Sequence, residues 1–187
     1  MRISLTALAL LPILAACSKP APPVAPAASA SAHVQAASAS LPVAAKPLLS
    51  PNGFGAVRFG TSLSAVEQQL GAKADQLGEN DPACSSVRIK AVPGVRFMVE
   101  KGIVTRADAD TGTPNSLGLA VGDTLALAKT QYPSIEVGPH KYLPAGHYLT
   151  FKSADGAAAI IMEEDGKAIT KIRAGLQPAV AYVEVCL

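Results

Sequence analysis

Aromatic residues and long apolar runs are scarce in this sequence of 187 residues. It has no tryptophan, four phenylalanines and four tyrosines, so we expect a core of valine, isoleucine, leucine and alanine. The apolar stretch at residues 3–16 is shorter than the roughly 20 apolar residues that a transmembrane helix needs. The sequence therefore predicts no membrane-spanning helix.

Motifs that carry catalysis or bind metals are also missing. We find no phosphate-binding glycine loop, nucleophile elbow, CxxC pair or HExxH sequence. His140 and His147 are seven residues apart, which is not a recognised metal spacing. Glu163, Glu164 and Asp165 crowd a predicted hairpin turn, where we expect a solvated charge cluster rather than a calcium site. No catalytic residue, cofactor or metal site is predicted, and we do not expect an enzyme.

An excess of positive charge is absent from most of the chain. All 14 Asp and Glu residues and 13 of the 16 Lys and Arg residues lie after residue 50. The two signs are interspersed there, so this part has no electrostatic footprint for nucleic acid. Its 137 residues fit one domain, residues 51–187.

The first residues have the pattern of a secretory signal. Arg2 precedes the apolar stretch at 3–16, and small residues precede Cys17. The sequence LAAC at residues 14–17 resembles the bacterial lipobox. This resemblance implies that residues 1–16 are a lipoprotein signal peptide and that Cys17 carries a diacylglycerol and an amide-linked acyl chain such as palmitate. An ordinary signal peptide with an unrelated cysteine is the alternative.

Residues 17–50 are predicted to be a disordered tether behind the lipidated cysteine. Residues 18–50 contain 11 Ala, 6 Pro and 6 Ser, with no acidic or aromatic side chain, and such a composition cannot bury a core. Ser18 rather than Asp follows Cys17. The lipoprotein resemblance therefore favours the periplasmic face of the outer membrane, with the inner membrane left open.

The remaining two cysteines are Cys84 and Cys186. An even number of cysteines in an exported domain predicts one disulfide bond. The alternative is two free thiols.

An internal repeat is visible in the sequence. VRFGTSLSAVEQQLG at residues 57–71 aligns with LAVGDTLALAKTQYP at residues 119–133. Each copy has a helix N-cap residue, Ser62 or Thr124, and then apolar residues on one helix face. These apolar residues are Leu63, Val66 and Leu70 in the first copy and Leu125, Ala128 and Tyr132 in the second. Gly71 and Pro133 are expected to end the two helices.

A second pair of segments aligns in the same order. Residues 97–109 and 161–174 both read as strand, glycine turn and strand, and another strand-like run precedes each of them. The sequence thus predicts an α+β fold in which two tandem helix-plus-three-strand units place helices on an antiparallel sheet. The units span residues 54–112 and 116–175, and a C-terminal strand follows at 180–186.

The repeat resembles those of the small lipoprotein of the β-barrel assembly machinery and of the β-lactamase inhibitory protein. The pattern FGTSLSAVEQQLG at residues 59–71, echoed at 121–133, carries the resemblance. It implies an α+β fold and a role in binding proteins rather than in catalysis. The assembly lipoprotein lacks the duplication and the inhibitor lacks a lipid anchor, so neither supplies a partner for this chain.

The connection between residues 132 and 148 is the segment in which the two units differ most. It holds three of the four tyrosines, and the equivalent segment of the first unit has no aromatic residue. His140, Tyr142, His147 and Tyr148 are the candidate partner-binding residues, because such rings combine apolar area with a polar tip. The alternative is that the tyrosines pack under the loop while the histidines are solvated.

Together these features predict an outer-membrane-anchored periplasmic lipoprotein that acts as a non-enzymatic protein-binding or scaffold module. The expected partners are the membrane, through the lipid, and another envelope protein. The alternatives are an inhibitor or immunity-type protein against an envelope-attacking enzyme, and a glycan-binding module.

Overall fold

The computed structural model describes residues 46–79 and 81–186. In this part of the chain 40% of the residues lie in strands and 13% in helices. The signal peptide, Cys17 and the tether up to residue 45 lie outside the described residues. No helix in the described part is long and apolar enough to span a membrane.

The chain order is three short strands, then two runs of one helix followed by four strands. The short strands are β1 (Leu49–Ser50), β2 (Gly53–Phe54) and β3 (Val57–Arg58). The first run is α1 (Leu63–Leu70), β4 (Ala74–Leu77), β5 (Cys84–Ile89), β6 (Val95–Glu100) and β7 (Ile103–Ala109). The second is α2 (Leu125–Gln131), β8 (Glu136–Pro139), β9 (His147–Lys152), β10 (Ala158–Glu164) and β11 (Ile169–Leu176).

The eight longer strands form one antiparallel sheet in the order β4-β5-β6-β7-β11-β10-β9-β8. The last strands of the two runs, β7 and β11, pair at its centre, where Ala107 faces Ala174. Strands β4 and β8 form the two edges, and β1–β3 make a separate small sheet. The sheet is therefore continuous across both halves of the sequence repeat.

The predicted α+β fold with two helix-plus-three-strand units is wrong, because the protein is mostly β. Each helix is followed by four strands, and three further strands precede α1. The missed strands give no alternating apolar signal: β4 reads ADQL and β8 reads EVGP, and both are largely exposed edge strands. The predicted tether also ran too far, since Leu49 is fully buried and lies in β1.

The predicted helix ends are confirmed. The hydroxyls of Ser62 and Thr124 accept hydrogen bonds from the amides of Ala65 and Leu127, as N-cap side chains do. Gly71 ends α1 in the left-handed conformation, with φ of 60°. Helix α2 ends at Gln131, two residues before Pro133.

The main core lies between the sheet and the elements on one of its faces, which we call the helix face. Val66 of α1, Ala128 of α2 and Phe54 of β2 belong to one buried cluster with the inward side chains of the long strands. The strand residues of this cluster include Val87, Phe97, Val104, Leu149, Ile160, Met162 and Ile172. Both helices thus cover the same face of the sheet.

The opposite face, which carries neither α1 nor α2, is covered at its centre by the end of the chain. Residues 177–186, here called the C-terminal strap, include a short 3₁₀ helix at Ala179–Ala181 that contacts β7, β10 and β11. Val180 is fully buried against Ala159 and Ile161 in a second, smaller cluster. The C-terminal strand predicted at 180–186 is not formed; the strap crosses the sheet instead of extending it.

Candidate functional site

The C-terminal strap is held to the sheet by a disulfide bond and by two buried arginines. Cys84, the first residue of β5, bonds to Cys186, so the predicted disulfide is confirmed. On the central strands, the Arg106 guanidinium donates to the carbonyl oxygens of Ala179 and Tyr182. The strap is therefore fastened both at its end and at its middle.

The second arginine belongs to an ionic network beneath the strap. Arg173 Nε donates to the Val180 carbonyl oxygen at 2.8 Å, and its Nη1 donates to the Glu163 carboxylate. Both of these charged side chains are almost fully buried. Lys171 Nζ lies 3.2 Å from the same carboxylate. An ion pair at this depth requires such additional hydrogen bonds, because removing charges from water is costly.

The solvated carboxylate cluster expected at residues 163–165 is corrected by this arrangement. Glu163 and Glu164 are the last residues of β10 and are buried, and only Asp165 lies in the exposed turn. Asp165 accepts from the backbone amides of Ala168 and Lys167, which lower its pKa. The sequence could not indicate this difference, because the partners of Glu163 come from another strand, β11, and from the loop before β9.

Burial and neighbouring charges oppose each other at Glu163. Burial raises the pKa of its carboxyl, whereas Arg173 and then Lys171 lower it, and the net pKa lies below the ordinary value for glutamate. For Arg173, burial and the nearby Arg106 lower the pKa of the guanidinium. The network thus keeps Glu163 ionised.

His140 anchors the loop between β8 and β9 from within. Its imidazole is 7% exposed and stacks on the ring of Tyr148, with centroids 4.7 Å apart. Its Nδ1 accepts from the amides of Tyr142 and Leu143, at 3.1 and 3.2 Å. An accepting Nδ1 carries no proton, so the ring hydrogen lies on Nε2, 3.6 Å from Glu163. His140 therefore fixes the conformation of the loop.

Of the other three predicted site residues, one is packed against the sheet and two are at least partly exposed to solvent. Tyr148 packs on the small cluster under the strap, and its ring lies 5.6 Å from the Arg173 guanidinium. His147 is partly exposed and its Nδ1 lies 2.9 Å from Glu164. Tyr142 is 60% exposed. The structure thus brings His140, Tyr142 and Tyr148 into one cluster, and places His147 at its border with Glu164.

Tyr142 connects the exposed loop to the strap. Its hydroxyl donates to the carboxylate of Glu184, and Lys141 Nζ lies 3.1 Å from the same group. The hydrogen bond from Tyr142, and then that from Lys141, lower the pKa of Glu184. The Lys141 ammonium also lies 4.9 Å from the centre of the Tyr142 ring. Tyr142 is thus exposed to solvent and yet held by two neighbours.

A cleft of 410 Å³ lies beside this contact, between the strap and strands β5 and β6. Its apolar lining includes Met98 and the strap residues Tyr182, Val183 and Val185. Tyr182 is 41% exposed, as is Leu143 of the neighbouring loop. The exposed surface formed by Tyr142, Leu143 and Tyr182 and this cleft is here called the strap surface.

Sequence reasoning missed the strap half of this surface. Tyr182 and Glu184 have no motif of their own, and the segment was predicted to be a strand. The one available signal was the pairing of Cys84 with Cys186, which brings the end of the chain onto β5. This disulfide does not by itself indicate that Glu184, two residues before Cys186, contacts Tyr142. That contact depends on a loop about 40 residues away in sequence.

Neither a metal site nor a match to a known protein identifies the activity. Within residues 46–79 and 81–186, no group of three or more His, Cys, Asp or Glu side chains is placed to hold a metal ion. Comparison with models of protein families, with curated proteins and with solved structures found no match.

Proposed function

We propose that this protein is an outer-membrane-anchored periplasmic lipoprotein that binds another envelope protein through the strap surface and performs no catalysis. The proposal depends on one observation: the side chain of Tyr142 is 60% exposed, and its hydroxyl is nevertheless hydrogen-bonded to Glu184 on the strap. An exposed tyrosine with a fixed position is typical of a protein-binding surface.

The physical argument concerns the entropy of binding. A partner that immobilises a mobile side chain pays about 0.5–1.5 kcal/mol for it. Here the loop is fastened from inside by His140 and from the side by Glu184. Part of that cost is therefore already met in the free protein, and the apolar area of Tyr142 and Leu143 remains available for contact.

The anchor part of the proposal rests on the sequence LAAC at residues 14–17 and on the Ala-, Pro- and Ser-rich stretch after it. Three acyl chains on Cys17 would hold the protein stably, since a single chain binds a membrane only marginally. The repeat pattern at residues 59–71 and 121–133 adds the resemblance to the repeats of the small barrel-assembly lipoprotein and of the β-lactamase inhibitory protein, which implies protein binding.

The test is affinity capture from detergent-solubilised envelopes with the parent protein and with Tyr142→Ala. We expect the parent to retain a defined protein and the variant to lose most of it. Leu127→Ala is the matched control, because Leu127 is an exposed apolar residue of α2, away from the strap surface. Equal capture by all three proteins would contradict the proposal.

The identity of the retained material separates the alternatives. A hydrolase that loses activity on binding would favour the inhibitor or immunity-type function, and retention of peptidoglycan would favour a glycan-binding module. Recovery of envelope proteins without enzymatic activity would support the binding or scaffold function.

A further inference from the structure

We propose that the cleft of the strap surface receives an arginine side chain of the partner protein. This inference rests on the proposed function and specifies the chemistry of the partner. It follows from the charge of the cleft, from its apolar lining and from the aromatic ring at its border.

The charge of the cleft is not balanced. Its ionisable lining residues are Glu100, Glu184 and Lys141, which is two carboxylates and one ammonium group. Lys141 already pairs with Glu184. Glu100 is half-buried, and among the described residues no cation lies within ion-pair distance of its carboxylate. The uncompensated charge is thus a carboxylate at the end of β6.

The remaining lining suits a long cationic side chain. Val183 and Val185 provide apolar area for the methylene groups, and Tyr182 provides a ring for a cation. Met98 also borders the cleft, although its side chain is only 1% exposed. The volume of 410 Å³ lies within the range of roughly 300–1,000 Å³ that is usual for ligand pockets.

Arginine fits this combination better than lysine. Its planar guanidinium binds a carboxylate through two parallel hydrogen bonds and stacks on aromatic faces, and it is more weakly hydrated than an ammonium group. Arginine and tyrosine are also enriched where protein interfaces bind most strongly. The site therefore favours a partner that presents an arginine beside an apolar segment.

The probe is a capped tripeptide, acetyl-Gly-Arg-Gly-amide, and its control is the same peptide with citrulline, which has nearly the same shape and no charge. The purified full chain is labelled at the methionine methyl groups for NMR. Both methionines are buried, but Met98 borders the cleft, whereas Met162 belongs to the main core on the helix face and serves as the internal reference.

We expect the arginine peptide to shift the Met98 methyl signal and leave the Met162 signal unchanged. The citrulline peptide is expected to bind about tenfold more weakly, since it makes no ion pair and no cation–π contact. Glu100→Gln should remove this preference. Glu136→Gln, which removes the same charge from edge strand β8, should keep it.

Equal binding of the two peptides, or an unchanged preference in Glu100→Gln, would overturn the inference. So would the absence of any shift at Met98 when the peptide is in large excess. These outcomes leave the capture experiment with Tyr142→Ala unaffected, because a partner can bind the strap surface without an arginine in the cleft.

Discussion

Arg106 and Arg173 place two positive charges side by side under the strap, and both side chains are at most 3% exposed. Their compensation comes from Asp108, whose carboxylate accepts from Arg106, and from Glu163, which accepts from Arg173. The strap carbonyl oxygens accept the remaining hydrogen bonds. Each guanidinium thus connects the sheet to the strap by hydrogen bonds, and these hydrogen bonds hold the strap surface in place.

Glu163→Gln tests the importance of this network for stability. The change leaves Arg173 buried without its counterion, and breaking a buried pair in this way typically costs about 3–5 kcal/mol. We expect a loss of that size in the free energy of unfolding, measured with urea. Glu136→Gln, which disrupts an exposed pair with Lys152, should cost less than about 1 kcal/mol.

The acid dependence of the same variant provides a second readout. The folded protein lowers the pKa of Glu163, so the ionised carboxylate stabilises the folded state. This contribution to the free energy of unfolding is fully present above the unfolded pKa of about 4.3. It is lost as the pH falls through the lower pKa of the folded state. The parent should therefore lose stability below about pH 4, and Glu163→Gln should lose less over this interval. An identical acid dependence in both proteins would contradict the assignment.

Elements that are specified by neighbouring residues could be predicted from the sequence, whereas elements that depend on distant contacts could not. The helices could be predicted because a 3.6-residue apolar period, an N-cap and a terminating glycine or proline, Gly71 or Pro133, all lie within about ten residues. The hairpin of β6 and β7 was visible for the same reason: its turn is Lys101–Gly102, and both residues have the positive φ angles that a tight hairpin turn needs.

The strap and the edge strands could not be predicted in this way. Strand β8 contains glycine and proline and pairs only on one side, so it is specified by its neighbour β9 rather than by its own side chains. The strap owes its path to the neighbouring Arg173 and to Arg106 and Cys84, which lie 76 and 102 residues from their partners in the strap. Glu163 is held by Arg173 and Lys171 of the next strand and lies 3.6 Å from His140 of the loop before β9.

The disulfide bond fastens the strap covalently to strand β5. Cys84 and Cys186 are 102 residues apart, and closing a loop of about this length removes chain entropy worth up to roughly 4–5 kcal/mol from the unfolded state. Replacing both cysteines by serine should therefore lower the melting temperature. A double variant that melts at the parent temperature would show that the bond adds no stability.

The whole molecule combines the proposed lipid anchor with a folded domain whose C-terminal strap is fastened by a disulfide bond. The anchor is tested through Cys17, whose thiol is the proposed attachment point. Cys17→Ser should abolish incorporation of radiolabelled palmitate in growing bacterial cells and leave the protein uncut or soluble. Unchanged labelling would exclude lipidation at this residue, whereas the double Ser variant of Cys84 and Cys186 should label normally.

The proposed function requires that the strap surface contact a partner protein. Its most direct test is photo-crosslinking in cells, with p-benzoylphenylalanine placed at position 142 and, as the control, at position 127. Thermal melting first establishes that both variants are folded. We predict a discrete crosslinked species in the membrane fraction from position 142 and none from position 127. No crosslink at position 142, or the same products from both positions, would contradict the claim.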